Sequence, residues 1–284
     1  MKTDIVMWSK GKRAILPRVF KAIDNELSEM LGKKIFVIGD MRDEGVPIAK
    51  DFGWQVYCTN KWSIPTQANE ALRHVETEYF ISVENDVLLT SGWYEKVLRH
   101  MDNPKVAVAQ GIRYYTNPHL RNWLRYAWGD VKSPLYRPIP LGISIDNNLY
   151  RTRMIREVGG FSYGCELCSD SFLKAELTRA GYLWIVDRDI KSTHIWDGVM
   201  DLTKHRSEAG LKCKHRDDSY VENFWKGYGS KTLQLPVISL DMAFRTHDPY
   251  LVFIYPYTRL RRIPITLIQR LRWRAEGMKR IINN

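Results

Sequence analysis

The chain has 284 residues, enough for one large α/β domain with appendages or for two small domains. With 44% hydrophobic residues it can bury a packed core, which excludes a disordered chain, and its aromatics (12%) include 10 Trp and 15 Tyr. The formal net charge of +11 points to an anionic partner, phospholipid or nucleic acid.

The pattern predicts a buried strand at residues 4–8, followed by a helix that gathers Ile15, Leu16, Val19, Phe20, Ile23 and Leu27 on one face and is stopped by Gly32. A second apolar strand at 34–38 ends in Gly39-Asp40. A short helix at 46–52, a strand at 54–58, a helix at 66–75 and a strand at 78–83 follow, and the last strand ends in Glu84-Asn85-Asp86. This βαβαβαβ order implies a largely parallel sheet with helices on both faces. Ligands of such sheets bind beyond the carboxyl ends of the strands, where Asp40 and Glu84-Asn85-Asp86 lie. Gly92 opens a helix at 93–100, which leads to a strand at 106–110. Residues 113–140 read as irregular and rich in Tyr, Trp, Arg and Pro, and a loop of that length inside a domain is often functional. A strand at 141–150, a helix at 154–158 closed by Gly159-Gly160, a helix at 169–180 capped by Gly181, and a strand at 182–186 complete the series and bring the chain to His194. No internal repeat is visible.

The sharpest chemical signal is the apolar strand that delivers Glu84-Asn85-Asp86. Two carboxylates two residues apart, where strand gives way to loop, can share a hard divalent cation that bridges a substrate's phosphates. A plain turn cluster is the competing account, since Asp and Asn favour turns. Asp170 opens a predicted helix, where it is either a cap or a base aimed into the cleft. His194 follows a strand, and is either structural or the imidazole that completes a carboxylate–histidine metal site.

The order of these parts resembles the GT-A glycosyltransferases, in particular the inverting family 2 type. The resemblance rests on the acidic motif that ends a strand, on Gly92-Trp93, on the stretch from Asn147-Asn148-Leu149-Tyr150-Arg151 to Gly159-Gly160-Phe161, on Ser169-Asp170 and on the terminal His194. It covers roughly residues 3–196. It implies a Rossmann-like GT-A domain that moves a sugar from a nucleotide-diphosphate donor, a UDP- or GDP-sugar, to a hydroxyl acceptor. By the same resemblance Asp86 with Glu84, flanking Asn85, stands for the Asp-x-Asp motif that holds Mn2+ or Mg2+ on the diphosphate. Asp40 contacts the base or ribose, Asp170 is the catalytic base, and His194 matches a metal ligand of some relatives. The chain departs from the family pattern at Met7-Trp8-Ser9-Lys10, at Gln67-Ala68-Asn69 and in the single acid of Ser169-Asp170.

The sequence further predicts a boundary between a catalytic domain at 1–240 and a basic amphipathic tail at 241–284. From Leu251 to Asn284 there are eight basic residues against Glu276 alone, +7, so the other 250 residues carry only +4. Apolar and aromatic residues, Leu251-Val252-Phe253-Ile254-Tyr255 and then Ile263, Ile265, Leu267, Ile268, Leu271 and Trp273, are interleaved with those arginines. The tail is therefore either a helix packed on the domain or an interfacial helix on an anionic membrane, and the coincidence of charge and aromatics favours the membrane. A lipid-linked or cell-surface glycan acceptor fits that placement. Four cysteines are too few for a disulfide framework, no run of about 18 apolar residues occurs, and no signal peptide is visible, so the expected location is the cytoplasmic face of the membrane. Cys165-x-x-Cys168 with Cys213-x-His215 is a weaker zinc alternative. The rival functions are a nucleotidyltransferase, for which Ser9-Lys10-Gly11-Lys12-Arg13 is a faint phosphate-loop echo, and a nucleic-acid-binding protein, against which the charge lies outside the main domain and no binding motif is found.

Overall fold

The structure is a computed structural model that describes residues 2–8, 13–162, 169–196 and 234–260. By contact the chain divides into two compact units, Met1–Thr116 with Leu141–Trp196, and Asn117–Pro140 with Asp197–Asn284. Residue 240 lies inside a helix of the second unit.

The first unit opens with β1 (Thr3–Trp8), whose six residues are all buried. A strand covered on both faces reads as a continuous apolar run, and its alternation sorts the core into two layers. Ile5 and Met7 join Phe36, Ile38 and Ile81 in one cluster; Val6 and Trp8 join Ile35, Val37 and Phe80 in the other. The first layer is closed by α1 (Leu16–Leu27), α2 (Gly45–Asp51) and α4 (Trp93–Arg99). The second is closed by α3 (Ile64–His74), α6 (Thr152–Glu157) and α7 (Ser169–Arg179). Val19, Phe20, Ile23 and Leu27 of α1 are fully buried, and Phe20 meets Trp54 at a ring-centroid distance of 4.7 Å. Truncating such a phenylalanine to alanine costs about 3–5 kcal/mol.

One charged residue is buried within β1. Asp4 accepts hydrogen bonds from the backbone N–H groups of Lys33 (2.7 Å), Glu76 (2.7 Å) and Thr77 (3.2 Å), and so ties the start of β1 to its neighbours. Gly32 makes this possible, because a Cβ there would stand 2.4 Å from the Asp4 carboxylate. The helix stop expected at Gly32 is therefore corrected. α1 ends at Leu27, Ser28 turns the chain at φ +41°, and Gly32 lies within β2 (Leu31–Ile38).

The remaining strands are β3 (Gln55–Cys58), β4 (Tyr79–Ser82), β5 (Val87–Leu89), β6 (Val106–Tyr115), β7 (Asn148–Arg151) and β8 (Leu183–His194). They form one eight-stranded sheet in the order β3-β2-β1-β4-β7-β6-β8-β5. Pairing is parallel from β3 to β4 and between β6 and β8. β7 is antiparallel to both of its neighbours, and β5 is antiparallel to β8. The chain leaves β1 for β2 on one side and returns to β4 on the other, which opens a crevice at the carboxyl end of β1. This is the α/β architecture expected, with a mostly parallel sheet.

Three expectations change in this second half of the sheet. β6 runs five residues beyond 110, to Tyr115. The strand expected at 141–150 is paired only from Asn148 to Arg151. The strand expected at 182–186 runs on to His194 as β8, and its pairing with β6 slips between Gly111↔Asp187 and Ile112↔Lys191. At that slip a Cβ on Gly111 would come within 2.9 Å of the Ile190 carbonyl and of the Trp93 indole nitrogen.

The second unit contains α5 (Pro118–Ala127), α8 (Leu235–Thr246) and α9 (Leu251–Leu260). α5 corrects the irregular reading of 113–140. The Asn117 side chain accepts from the Leu120 N–H at 3.1 Å, Pro118 begins the helix, and Leu120, Leu124 and Ala127 are buried. Tyr126, Leu235, Ile238, Met242, Leu251 and Tyr255 form this unit's core. Asp241 is its strut, accepting from Tyr126 Oη (2.7 Å), Ser133 Oγ (2.6 Å) and Arg245 Nε (2.6 Å). Among the described residues no helix is long and apolar enough to cross a membrane.

Candidate active site

β4 carries the chain to Ser82, and the tight turn after it, with Val87 N–H donating to Glu84 C=O at 3.3 Å, presents Glu84, Asn85 and Asp86. The turn leads into β5, whose register with β8 sets Val87 opposite His194. Ile195 N–H then donates to the Asp86 carbonyl at 2.7 Å. Strand pairing thus brings together residues more than a hundred positions apart in the sequence. His194 Nε2 stands 3.0 Å from Asp86 Oδ2 and 3.9 Å from Glu84 Oε2. One ligand atom from each of the three lies within 4.8 Å of the others. Asp86 and His194 are buried, Glu84 is partly exposed, and the imidazole stacks on Tyr115 at 5.1 Å.

This geometry fits a divalent cation. At metal–ligand lengths of about 2.1 Å, neighbouring ligands of an octahedron stand about 3 Å apart and opposite ones about 4 Å. Two carboxylate oxygens suit Mg2+ or Mn2+, and an imidazole nitrogen is compatible with the transition metal.

Three further residues complete the cluster, and sequence reasoning assigned none of them. Arg113, on β6, donates from Nη1 to Glu84 Oε2 and to Asp146 Oδ1, both at 2.5 Å, and from Nη2 to Ser144 Oγ at 3.0 Å. Ser144 Oγ donates in turn to Asp146 Oδ1 at 2.7 Å. Asp146 is held in place by Asn147, which has φ +62° and a backbone N–H that donates to Ser82 C=O at 2.6 Å. Burial, and then the charge of Asp146, raise the Glu84 carboxyl well above the ordinary range against the pull of Arg113. Burial works against the charged form of Arg113, but Asp146 and Glu84 outweigh it and raise its pKa, so the guanidinium stays protonated.

Asp170 lies in the first turn of α7, half-buried, with Oδ1 accepting from the N–H of Ser171 at 2.6 Å and from its hydroxyl at 3.2 Å. Burial raises its pKa despite these bonds, and Asp146 contributes to the rise. Asp146 is thus felt electrostatically at both Glu84 and Asp170. Asp40 stands apart from this cluster. It follows β2, its side chain is 51% exposed, and Arg42 holds it through Nη2 at 2.7 Å and Nε at 3.0 Å. The side-chain and backbone hydrogen bonds from Arg42 lower its pKa to about 2. Asn85 is buried in the turn between its two acidic neighbours.

Asn69, one of the departures from the family pattern, clamps Phe161. Its amide donates to the Phe161 carbonyl at 2.7 Å and its Oδ1 accepts from the Phe161 N–H at 2.8 Å. A shallow cleft of about 310 Å³ is lined by Asn69, Leu72, Arg73, Arg156, Gly159 and Gly160, none of them from the acidic cluster. The zinc alternative (Cys165, Cys168, Cys213, His215), most of the basic stretch at 9–13, and residues 261–284 of the tail lie outside the described residues.

Comparison with known proteins gives the family and the fold. The profile of glycosyl transferase family 2 matches residues 4–171, more than half of the chain. No curated protein sequence matches. Among solved structures, mannosyltransferase PcManGT from Pyrobaculum calidifontis, determined in complex with GDP-Man and Mn2+, is similar with a TM-score of 0.58. The two are 14% identical, and the similarity covers 94% of this chain and 73% of that one. At that identity the likeness is one of fold.

Proposed function

The chain belongs to glycosyl transferase family 2 and is a glycosyltransferase, and on that premise we propose an inverting transfer from a nucleotide-diphosphate sugar to a hydroxyl acceptor. The observation that carries the reading is the convergence of Glu84, Asp86 and His194 at the carboxyl end of β4. The nucleotide lies across the carboxyl ends of β1, β2 and β4, with Asp40 toward its base or ribose, as the crevice rule requires. Glu84, Asp86 and His194 hold Mn2+ or Mg2+, which when bound offsets the charge that gathers on the departing diphosphate. Arg113 fixes the Glu84 carboxylate by donating to Oε2, the same oxygen that His194 Nε2 faces at 3.9 Å. Asp170 takes the proton of the acceptor hydroxyl as it attacks the anomeric carbon, since a hydroxyl is a weak nucleophile at neutral pH. Family membership favours sugar transfer over nucleotidyl transfer or nucleic-acid binding as the chain's activity.

The basic tail at 241–284 supports a peripheral position on the anionic cytoplasmic face of a membrane, with a lipid-linked acceptor. GDP-mannose is the first donor to test, because the solved structure of similar fold carries it.

The deciding experiment is turnover of a panel of UDP- and GDP-sugars with and without Mn2+, beside Asp86→Ala. The expected outcome is metal-dependent transfer that Asp86→Ala abolishes while the far-UV spectrum and melting curve are kept. Full activity in excess EDTA overturns the metal role, and nucleotide binding without any sugar transfer overturns the transferase reading.

A further inference from the structure

The second unit is set apart by two independent observations. The first is charge. Its residues include 20 basic and 10 acidic side chains, +10, whereas the first unit has 23 and 22, +1. Nearly all of the chain's net charge therefore belongs to the second unit.

The second observation is apolar exposure. α8 turns Leu235, Ile238 and Met242 to the core, yet Val237, Leu240 and Phe244, spaced three and four residues apart on the opposite face, are 55%, 59% and 80% exposed. α9 does the same, with Leu251 and Tyr255 buried while Phe253, Tyr257 and Leu260 face outward, Phe253 at 75%. A surface helix of a globular protein is apolar on one stripe and polar on the other, and a helix apolar on both sides requires a second apolar phase. Both helices break the surface rule in this way, only four residues apart along the chain.

We infer that the outer faces of α8 and α9 are the lipid-contacting surface of the enzyme, seated at the acyl–headgroup boundary of an anionic membrane. The occupant is a membrane rather than a protein groove because exposed aromatics coincide with a strong excess of positive charge in the same unit, the pairing that suits an interface of acyl chains beneath phosphates. Seven more basic residues follow in the sequence at 261–284 against one acid. The inference rests on the membrane reading above and sharpens it, by placing the apolar contact on the α8–α9 pair and leaving residues 261–284 to supply charge.

Co-sedimentation of the full chain with phosphatidylcholine vesicles containing about 30% phosphatidylserine tests this. The probes are Phe244→Glu/Phe253→Glu, and separately a chain lacking residues 261–284. Melting curves and sizing accompany both. The expected result is that the double variant keeps its melting temperature and loses vesicle binding by about tenfold or more, while the shortened chain loses the part of binding that salt also removes. Vesicle binding unchanged in the double variant but lost in the shortened chain overturns this inference and leaves the membrane reading standing. A wild-type chain that ignores anionic vesicles overturns both. A wild-type dimer that the double variant dissociates, with no vesicle binding, assigns the face to a second copy, and a large fall in melting temperature assigns it to the chain's own packing; either result overturns the lipid assignment.

Discussion

The two halves of the sheet are built by different means. From β1 to β4 every pairing is parallel, the strands are joined through helices, and hydrophobic alternation sorts side chains cleanly between two layers. From β5 to β8 the pairings are mixed in direction, one strand has three residues, and β8 slips three residues against β6 where β2 slips only one against β1. The acidic cluster straddles this seam. Glu84 and Asp86 arrive from the regular half, whereas His194, Arg113 and Asp146 arrive from the irregular one. Regular pairing supplies stiffness, and departures from it aim individual side chains, which is where reactive residues concentrate.

Substitutions in the two halves should therefore fail in different ways. After the abolition of transfer expected for Asp86→Ala, the largest effect is expected at Asp170. Asp170→Asn should lower turnover by about 10²–10⁴-fold while donor affinity stays. In the native enzyme, turnover should fall as pH drops through a limb above the ordinary carboxylate range, because burial raises this pKa and a base must be ionised. The sign for stability is the opposite. An acid whose pKa is raised by folding is a burden when ionised, so Asp170→Asn should melt at the same temperature or slightly higher at neutral pH. A variant with near-normal turnover but a lowered melting temperature would return Asp170 to a capping role.

Asp4 tests the regular half. Asp4→Ala leaves three backbone N–H groups without their acceptor and should cost about 3–5 kcal/mol in denaturant titration. Turnover per folded molecule should stay close to normal. If it fell in step with Asp86→Ala, the separation of scaffold from site would collapse.

The same seam marks how far the sequence could be read. β1 to β4 are legible because helix and strand periods differ and two of the strands end in their own signals, β2 in Gly39-Asp40 and β4 in Glu84-Asn85-Asp86. The triad of Glu84, Asp86 and His194 was legible through a family resemblance, and strand pairing supplied its geometry. Arg113 and Asp146 were not legible. They lie 33 positions apart and meet only because β6 and the turn at Asn147 converge on one carboxylate, which no local pattern announces. α5 carried a readable signal, Asn117-Pro118 before Leu120 and Leu124, but its aromatic and basic composition suggested a loop. Asp4 looked like an ordinary strand residue, because its three partners lie on other elements.

The slip between β6 and β8 has a consequence for length. Upstream of it β8 is held through Asp187 against Gly111, and downstream it is gripped on both sides, by β6 and by β5 at Val87↔His194. Arg188 and Asp189 between the two grips are exposed. The strand therefore has a slack joint, and an extra residue between Arg188 and Asp189 would be taken up there without disturbing His194. The same residue added between Ser192 and His194 would turn the imidazole to the other face of the sheet, because strand side chains alternate. Changes in chain length should thus be tolerated at the first position and ruinous only a few residues later.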